Sequence, residues 1–90
     1  MVRYYIIFSG QVQGVGFRFT LYQLSRQRDI TGWVRNRYDG KVEAQMQGAL
    51  NDILEVINEL KNHSHYIEID DYSMKEIAPI PQEKGFAIKY

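Results

Sequence analysis

The spacing of apolar and polar positions divides the chain into segments of two distinct periods. From Val2 to Ser9, residues Val2, Tyr4, Ile6 and Phe8 share one face of an extended chain, while Tyr5 and Ile7 make the other face apolar too, as in an interior strand. After a glycine-rich stretch, Phe17, Leu21 and Leu24 recur at i, i+4 and i+7 among Arg18, Gln23, Arg26 and Gln27, which predicts a helix ending near Arg28. Two strand-like segments follow, Ile30 to Arg37 and Lys41 to Gln47, and Tyr38-Asp39-Gly40 between them carries the Asp-Gly signal of a hairpin. In the second of these, Val42, Ala44 and Met46 face a core while Lys41, Glu43, Gln45 and Gln47 face water, so the sheet should be covered on one face only. The stripe Leu50, Ile53, Leu54, Ile57 and Leu60 predicts the covering helix, Ala49 to Asn62, with Asp52, Glu55, Asn58 and Glu59 on its wet side. Strand character returns at Ile67 to Met74, and Phe86, Ile88 and Tyr90 alternate with Ala87 and Lys89 in a short closing strand.

The order βαββαβ plus a short final strand predicts an α+β, two-layer sandwich: an antiparallel sheet with two helices on one face, the ferredoxin-like or split βαβ arrangement. That fold carries RNA-binding modules, metal chaperones, regulatory ligand domains and enzymes, so function must be argued from a site. Composition narrows the choice. Ninety residues with 44% hydrophobic content suit one core, and no linker or low-complexity tract divides them, so residues 1–90 are expected to form a single domain. The absence of cysteine excludes a disulfide scaffold and a thiolate zinc site. Eleven basic and eleven acidic residues cancel, which leaves no global field to attract nucleic acid or an anionic membrane. The apolar start of the chain is too short for a secretory or membrane-spanning segment. The expectation is a cytoplasmic monomer with neither nucleic-acid nor membrane partner.

Chemistry concentrates in Ser9-Gly10-Gln11-Val12-Gln13-Gly14-Val15-Gly16-Phe17-Arg18, where three glycines lie between the first strand and the first helix. Glycines at such a junction let successive N–H groups point into one concavity, and the helix N-terminus behind adds unsatisfied donors and positive partial charge. Arg18 in the first helical turn opposes the helix dipole, a conflict that a bound anion would resolve. Its planar guanidinium could then chelate two phosphoryl oxygens. Glycine spacing alone leaves an ordinary tight turn with a solvated arginine equally open, and neither the dinucleotide nor the Walker spacing is present.

A second segment separates the two readings. Val12-Gln13-Gly14-Val15-Gly16-Phe17-Arg18, together with Gly32-Trp33-Val34-Arg35-Asn36 and the following Gly40, Val42 and Gly48, resembles the two signatures of the acylphosphatase family. The ending Phe86 to Tyr90 is similar to that family's closing strand, so the resemblance spans essentially the whole chain. It implies hydrolysis of the carboxyl–phosphate bond of an acyl phosphate to a carboxylate and inorganic phosphate, without metal, cofactor or covalent phosphoenzyme. By the same resemblance, Arg18 and the backbone amides of Gln13, Gly14, Val15, Gly16 and Phe17 bind the phosphoryl group, and Asn36 positions the attacking water. A carboxamide suits that task, because its carbonyl accepts from water while its NH₂ donates to phosphate. Inorganic phosphate, as product, should inhibit competitively. The glycine that many family members carry ahead of the Gly-Trp strand is missing from Gln27 to Gly32, and Gly16 stands where some relatives carry a bulkier residue.

Other conspicuous residues have plainer expected roles. Trp33 should pack on the sheet, Arg35 and Arg37 should lie on the face opposite Asn36, and His63 and His65 suit the end of the second helix better than a metal. The competing reading is a non-catalytic module that binds RNA or a phosphorylated ligand through Tyr5 and Trp33. Against it stand the zero net charge and Glu43, Gln45 and Gln47 where an RNA-binding sheet would interleave basic and aromatic residues. Larger carbamoyl-transfer maturation proteins carry a related domain, whereas this chain is expected to act alone.

Overall fold

A computed structural model describes residues Met1–Tyr90. The elements run β1 (Val2–Gln11), α1 (Phe17–Gln27), β2 (Thr31–Asn36), β3 (Val42–Gly48), α2 (Leu50–Lys61), β4 (Glu68–Ile77) and β5 (Phe86–Lys89). The five strands form one sheet in the order β4-β1-β3-β2-β5. The two-layer architecture is as expected, but the sheet is mixed rather than antiparallel. β5 runs parallel to β2, with Gly32 opposite Phe86 and Arg35 opposite Lys89. The cause is topological: β4 is antiparallel to β1 and ends where β2 begins, so a strand returning along the far edge runs in the direction of β2. No helix is long and apolar enough to cross a membrane.

The core lies between the helices and one sheet face. Ile6, Phe8, Val34, Val42, Ala44 and Met46 meet Phe17 and Leu21 of α1 and Ile53, Val56, Ile57 and Leu60 of α2, all buried. The Phe8 and Phe17 rings tilt against each other at 5.0 Å, which fixes the start of α1 over the end of β1. The stripe on α2 differs from its prediction. Val56 is fully buried, whereas Leu54 is 42% exposed and Leu50, in the open first turn, is also exposed. Ile53, Val56, Ile57 and Leu60 repeat at i, i+3, i+4 and i+7, and Leu54 falls about 100° round the helix from Ile53.

The opposite sheet face departs further from expectation, because Glu43 and Gln47 are buried instead of meeting water. The segment 78–85 folds across part of this face. The Gln47 side chain accepts from the Ile80 N–H at 2.7 Å and donates to the Ile80 carbonyl at 2.9 Å. Arg3, only 1% exposed, donates to Gln45 at 2.8 Å and Gln47 at 3.2 Å and pairs with Glu83 at 2.6 Å. A buried guanidinium survives only when its donors are committed in this way.

Candidate active site

The junction of β1 and α1 is built to leave donors free. Gly14 and Gly16 have φ of 74° and 78°, the left-handed region where a side chain would be strained. Gly16 caps α1 with no side-chain hydrogen bond, and no acidic residue occupies the first turn. Thr20 returns both its N–H, at 3.0 Å, and its hydroxyl, at 2.9 Å, to the Gly16 carbonyl. None of the backbone N–H groups from Gln13 to Arg18 donates to a backbone carbonyl. Such a run of outward amides at a helix N-terminus forms an anion-binding concavity.

Part of this run lines a cleft of about 220 Å³. Gly14, Gly16, Phe17 and Arg18 form one wall, and Asn36, Ile88 and Tyr90 face them from the strands. The arrangement thus brings Arg18 and Asn36, predicted from distant segments, to one cavity. Val15 and Gln13 lie outside its lining: Val15 packs against the core, and the Gln13 side chain reaches the β2–β3 hairpin.

Arg18 is steered by the C-terminal strand. Its Nη1 donates to the Lys89 carbonyl at 3.3 Å, and its guanidinium lies over the Tyr90 ring at 4.9 Å. No carboxylate claims its remaining donors. Asn36 closes β2, on the same side as buried Val34, and its Oδ1 is buried without any hydrogen-bond partner. An orphaned buried acceptor is costly unless something donates to it, and a water in the cleft would do so.

The residues flanking Asn36 point the other way, as expected. Arg35 donates to Glu43 at 2.7 Å, and Arg37 pairs with Asp39 at 3.0 Å and donates to the Tyr5 hydroxyl at 3.4 Å. Tyr5 in turn donates to Glu43 at 2.6 Å. Burial would raise the Glu43 carboxyl, but the hydrogen bonds from Tyr5 and Arg35 prevail and hold it below its ordinary range. The hydrogen bond to Glu43, with burial and the carboxylate charge, pushes the Tyr5 phenol up. A broader hollow of about 590 Å³ lies beside this network and shares Asn36 and Tyr90 with the cleft. Its charges already neutralise one another. Trp33 packs on this face beneath Lys89 and Arg35, whose cationic groups lie 4.5 and 5.3 Å from its ring. His63 and His65 are exposed, and no group of three or more His, Cys, Asp or Glu is placed to hold a metal.

Two features escaped the sequence reading. The Gln13 side chain fastens the loop to the hairpin that carries Asn36, its Nε2 donating to the carbonyls of Arg37 at 2.7 Å and Lys41 at 2.9 Å. The carbonyl of Lys89 steers Arg18, and no side-chain pattern reports a backbone acceptor.

An amide-lined anion cleft with a free arginine, at the end of a ferredoxin-like sheet, defines a class of oxyanion-handling domains. The family is more specific. The acylphosphatase family model matches residues 4–88. An acylphosphatase of Clostridium beijerinckii is 36% identical over 90 residues, covering all of both chains. The crystal structure of acylphosphatase from Bacillus subtilis superposes with a TM-score of 0.90 at 37% identity, again over all of both chains. HypF from T. kodakarensis, whose chain is matched over 12% of its length, gives a TM-score of 0.85 at 32% identity. The chain belongs to the acylphosphatase family.

Proposed function

We propose that this chain is an acylphosphatase, a hydrolase that converts an acyl phosphate and water to a carboxylate and inorganic phosphate. Residues 1–90 act as one domain. The phosphoryl oxygens accept from the amides of Gln13, Gly14, Val15, Gly16 and Phe17, and Arg18 adds its guanidinium fork. Asn36 accepts a hydrogen bond from water through Oδ1 and aims it at phosphorus. The water oxygen bonds to phosphorus as the bond to the acyl oxygen breaks; that electron pair leaves with the carboxylate, and the water proton passes to the phosphoryl oxygens. With so good a leaving group, positioning and charge stabilisation suffice. The observation that carries this reading is the buried, unpartnered Oδ1 of Asn36 in the same cleft as Arg18 and the unpaired amides. The RNA-binding alternative is disfavoured because Tyr5 is tied to Glu43 and Trp33 lies beneath cationic side chains.

The test is phosphate release from benzoyl phosphate, with and without EDTA, by the native chain and by Arg18→Gln and Asn36→Ala. Hydrolysis that survives EDTA, collapses in both variants and is inhibited competitively by inorganic phosphate supports the assignment. A folded native protein with no rate above buffer sinks it. The reading extends to a monomer working in the cytoplasm; a stable dimer in light scattering or a membrane-bound fraction would overturn that part.

A further inference from the structure

We infer that the Phe19 ring, braced by Tyr22, receives the acyl group of the substrate and tunes the enzyme toward aromatic acyl phosphates. This rests on the hydrolytic reading above and concerns the half of the substrate that the cradle does not grip. The cleft, walled by glycines, Arg18 and Asn36, is shaped for a phosphoryl group, so the acyl group must emerge at its mouth. In-line displacement sets the leaving oxygen across phosphorus from the attacking water. With water on Asn36, the acyl group departs away from that side chain and past the rim of the cleft.

Phe19 stands at that rim. It lines the cleft, yet the residue is 56% exposed. Helical side chains lean toward the N-terminus, so a ring at the third position of α1 reaches back over the turn beside Gly16. It stacks on Tyr22 one turn on, with centroids 6.4 Å apart and planes 20° from parallel. Tyr22 is itself held by Arg26, which donates to its hydroxyl at 2.8 Å and lies 5.5 Å over its ring. Tyr90, the other exposed aromatic at the cleft, is already engaged by Arg18. Phe19 therefore offers a braced apolar ring where the substrate emerges. A planar aromatic acyl group gains ring contact there, and an acetyl group gains almost none.

The experiment compares kcat/KM for benzoyl phosphate and acetyl phosphate in native protein, Phe19→Ala and Phe19→Leu, with inhibition by inorganic phosphate measured alongside. Phe19→Ala should lower the benzoyl-to-acetyl ratio about tenfold, and Phe19→Leu should lower it less. Phosphate inhibition should hold at its native strength, because phosphate alone does not reach the ring. An unchanged ratio overturns the inference. So does a parallel loss of both substrates and of phosphate inhibition, which would make Phe19 a shaper of the helix start. A native protein that hydrolyses neither substrate sinks the hydrolytic reading instead.

Discussion

Arg3 and Arg18 are the same side chain in opposite circumstances. Arg3, on the helix-free sheet face, is buried and spends its donors on Gln45, Gln47 and Glu83. Arg18, at the start of α1, is half-buried, opposes the helix dipole and is held by one carbonyl and one ring. The first arrangement is complete without a ligand. The second leaves most guanidinium donors, and the amides around them, open to an anion. Satisfaction, more than charge or burial, separates an arginine that holds the fold from one that serves a reaction.

The widest break in that comparison should come from Arg18→Gln. Losing a donor that acts in the transition state costs about 2.7–4 kcal/mol, so kcat should fall roughly 10²–10³-fold, as it should for Asn36→Ala. Stability should stay within about 1 kcal/mol of native, because removing a cation from a helix N-terminus offsets the lost contact to Lys89. Steady-state kinetics beside urea unfolding measures both. A loss below tenfold would remove the residue from the mechanism.

Glu83→Gln should do the reverse, leaving turnover near native while stability at neutral pH drops by about 2 kcal/mol, since Arg3 keeps its charge and loses its anion. Burial would raise the Glu83 carboxyl, but the hydrogen bonds of Arg3 outweigh it and hold the carboxyl below its ordinary value. A carboxyl lowered on folding contributes stability above its unfolded pKa, and that contribution disappears as pH falls through the folded value. Native stability should therefore decline through the acid range more steeply than that of Glu83→Gln. Urea midpoints at descending pH test this, and parallel curves would mean that the pair is not coupled to folding.

The asymmetry between the two faces also marks what could be read from sequence. Alternation in β3 identified Val42, Ala44 and Met46 as core residues. It could not report that the segment 78–85 would fold back over Gln47 and Arg3, because cover supplied by a later loop leaves no periodic trace. The parallel pairing of β5 was illegible for a similar reason, since direction depends on where β4 ends. Around the cleft, the glycines, Arg18 and Asn36 stood out because local geometry or a signature demands those residue types. Gln13 was assigned for its backbone alone, and its side chain's carbonyl partners lie 24 and 28 residues away.

That fastening gives a smaller prediction. Gln13→Met keeps the volume and removes both hydrogen bonds between the loop and the hairpin carrying Asn36. Displacements near 1 Å in a catalytic site can cost up to about 10²-fold, and a partial loosening should lower kcat about tenfold. Stability should fall by about 1 kcal/mol. In the Asn36→Ala background the same substitution should change kcat little, because the group being aligned is gone. Equal losses in both backgrounds would show that Gln13 acts only on the phosphate cradle.

The smallest effect belongs to Leu54, and it tests how the α2 stripe is divided between core and surface. A leucine at a helical position beside the stripe looks, in sequence, the same as one within it. Here Leu54 is 42% exposed while Val56 is sealed under the sheet. Leu54→Gln removes little buried area and keeps a good helix former, so it should shift stability by less than about 0.5 kcal/mol. Val56→Ala deletes two buried methyl groups and should cost more than 1 kcal/mol, even though valine is the poorer helix former. Urea unfolding of both variants decides the matter. Comparable losses would place Leu54 in the core and tilt α2 from the orientation described.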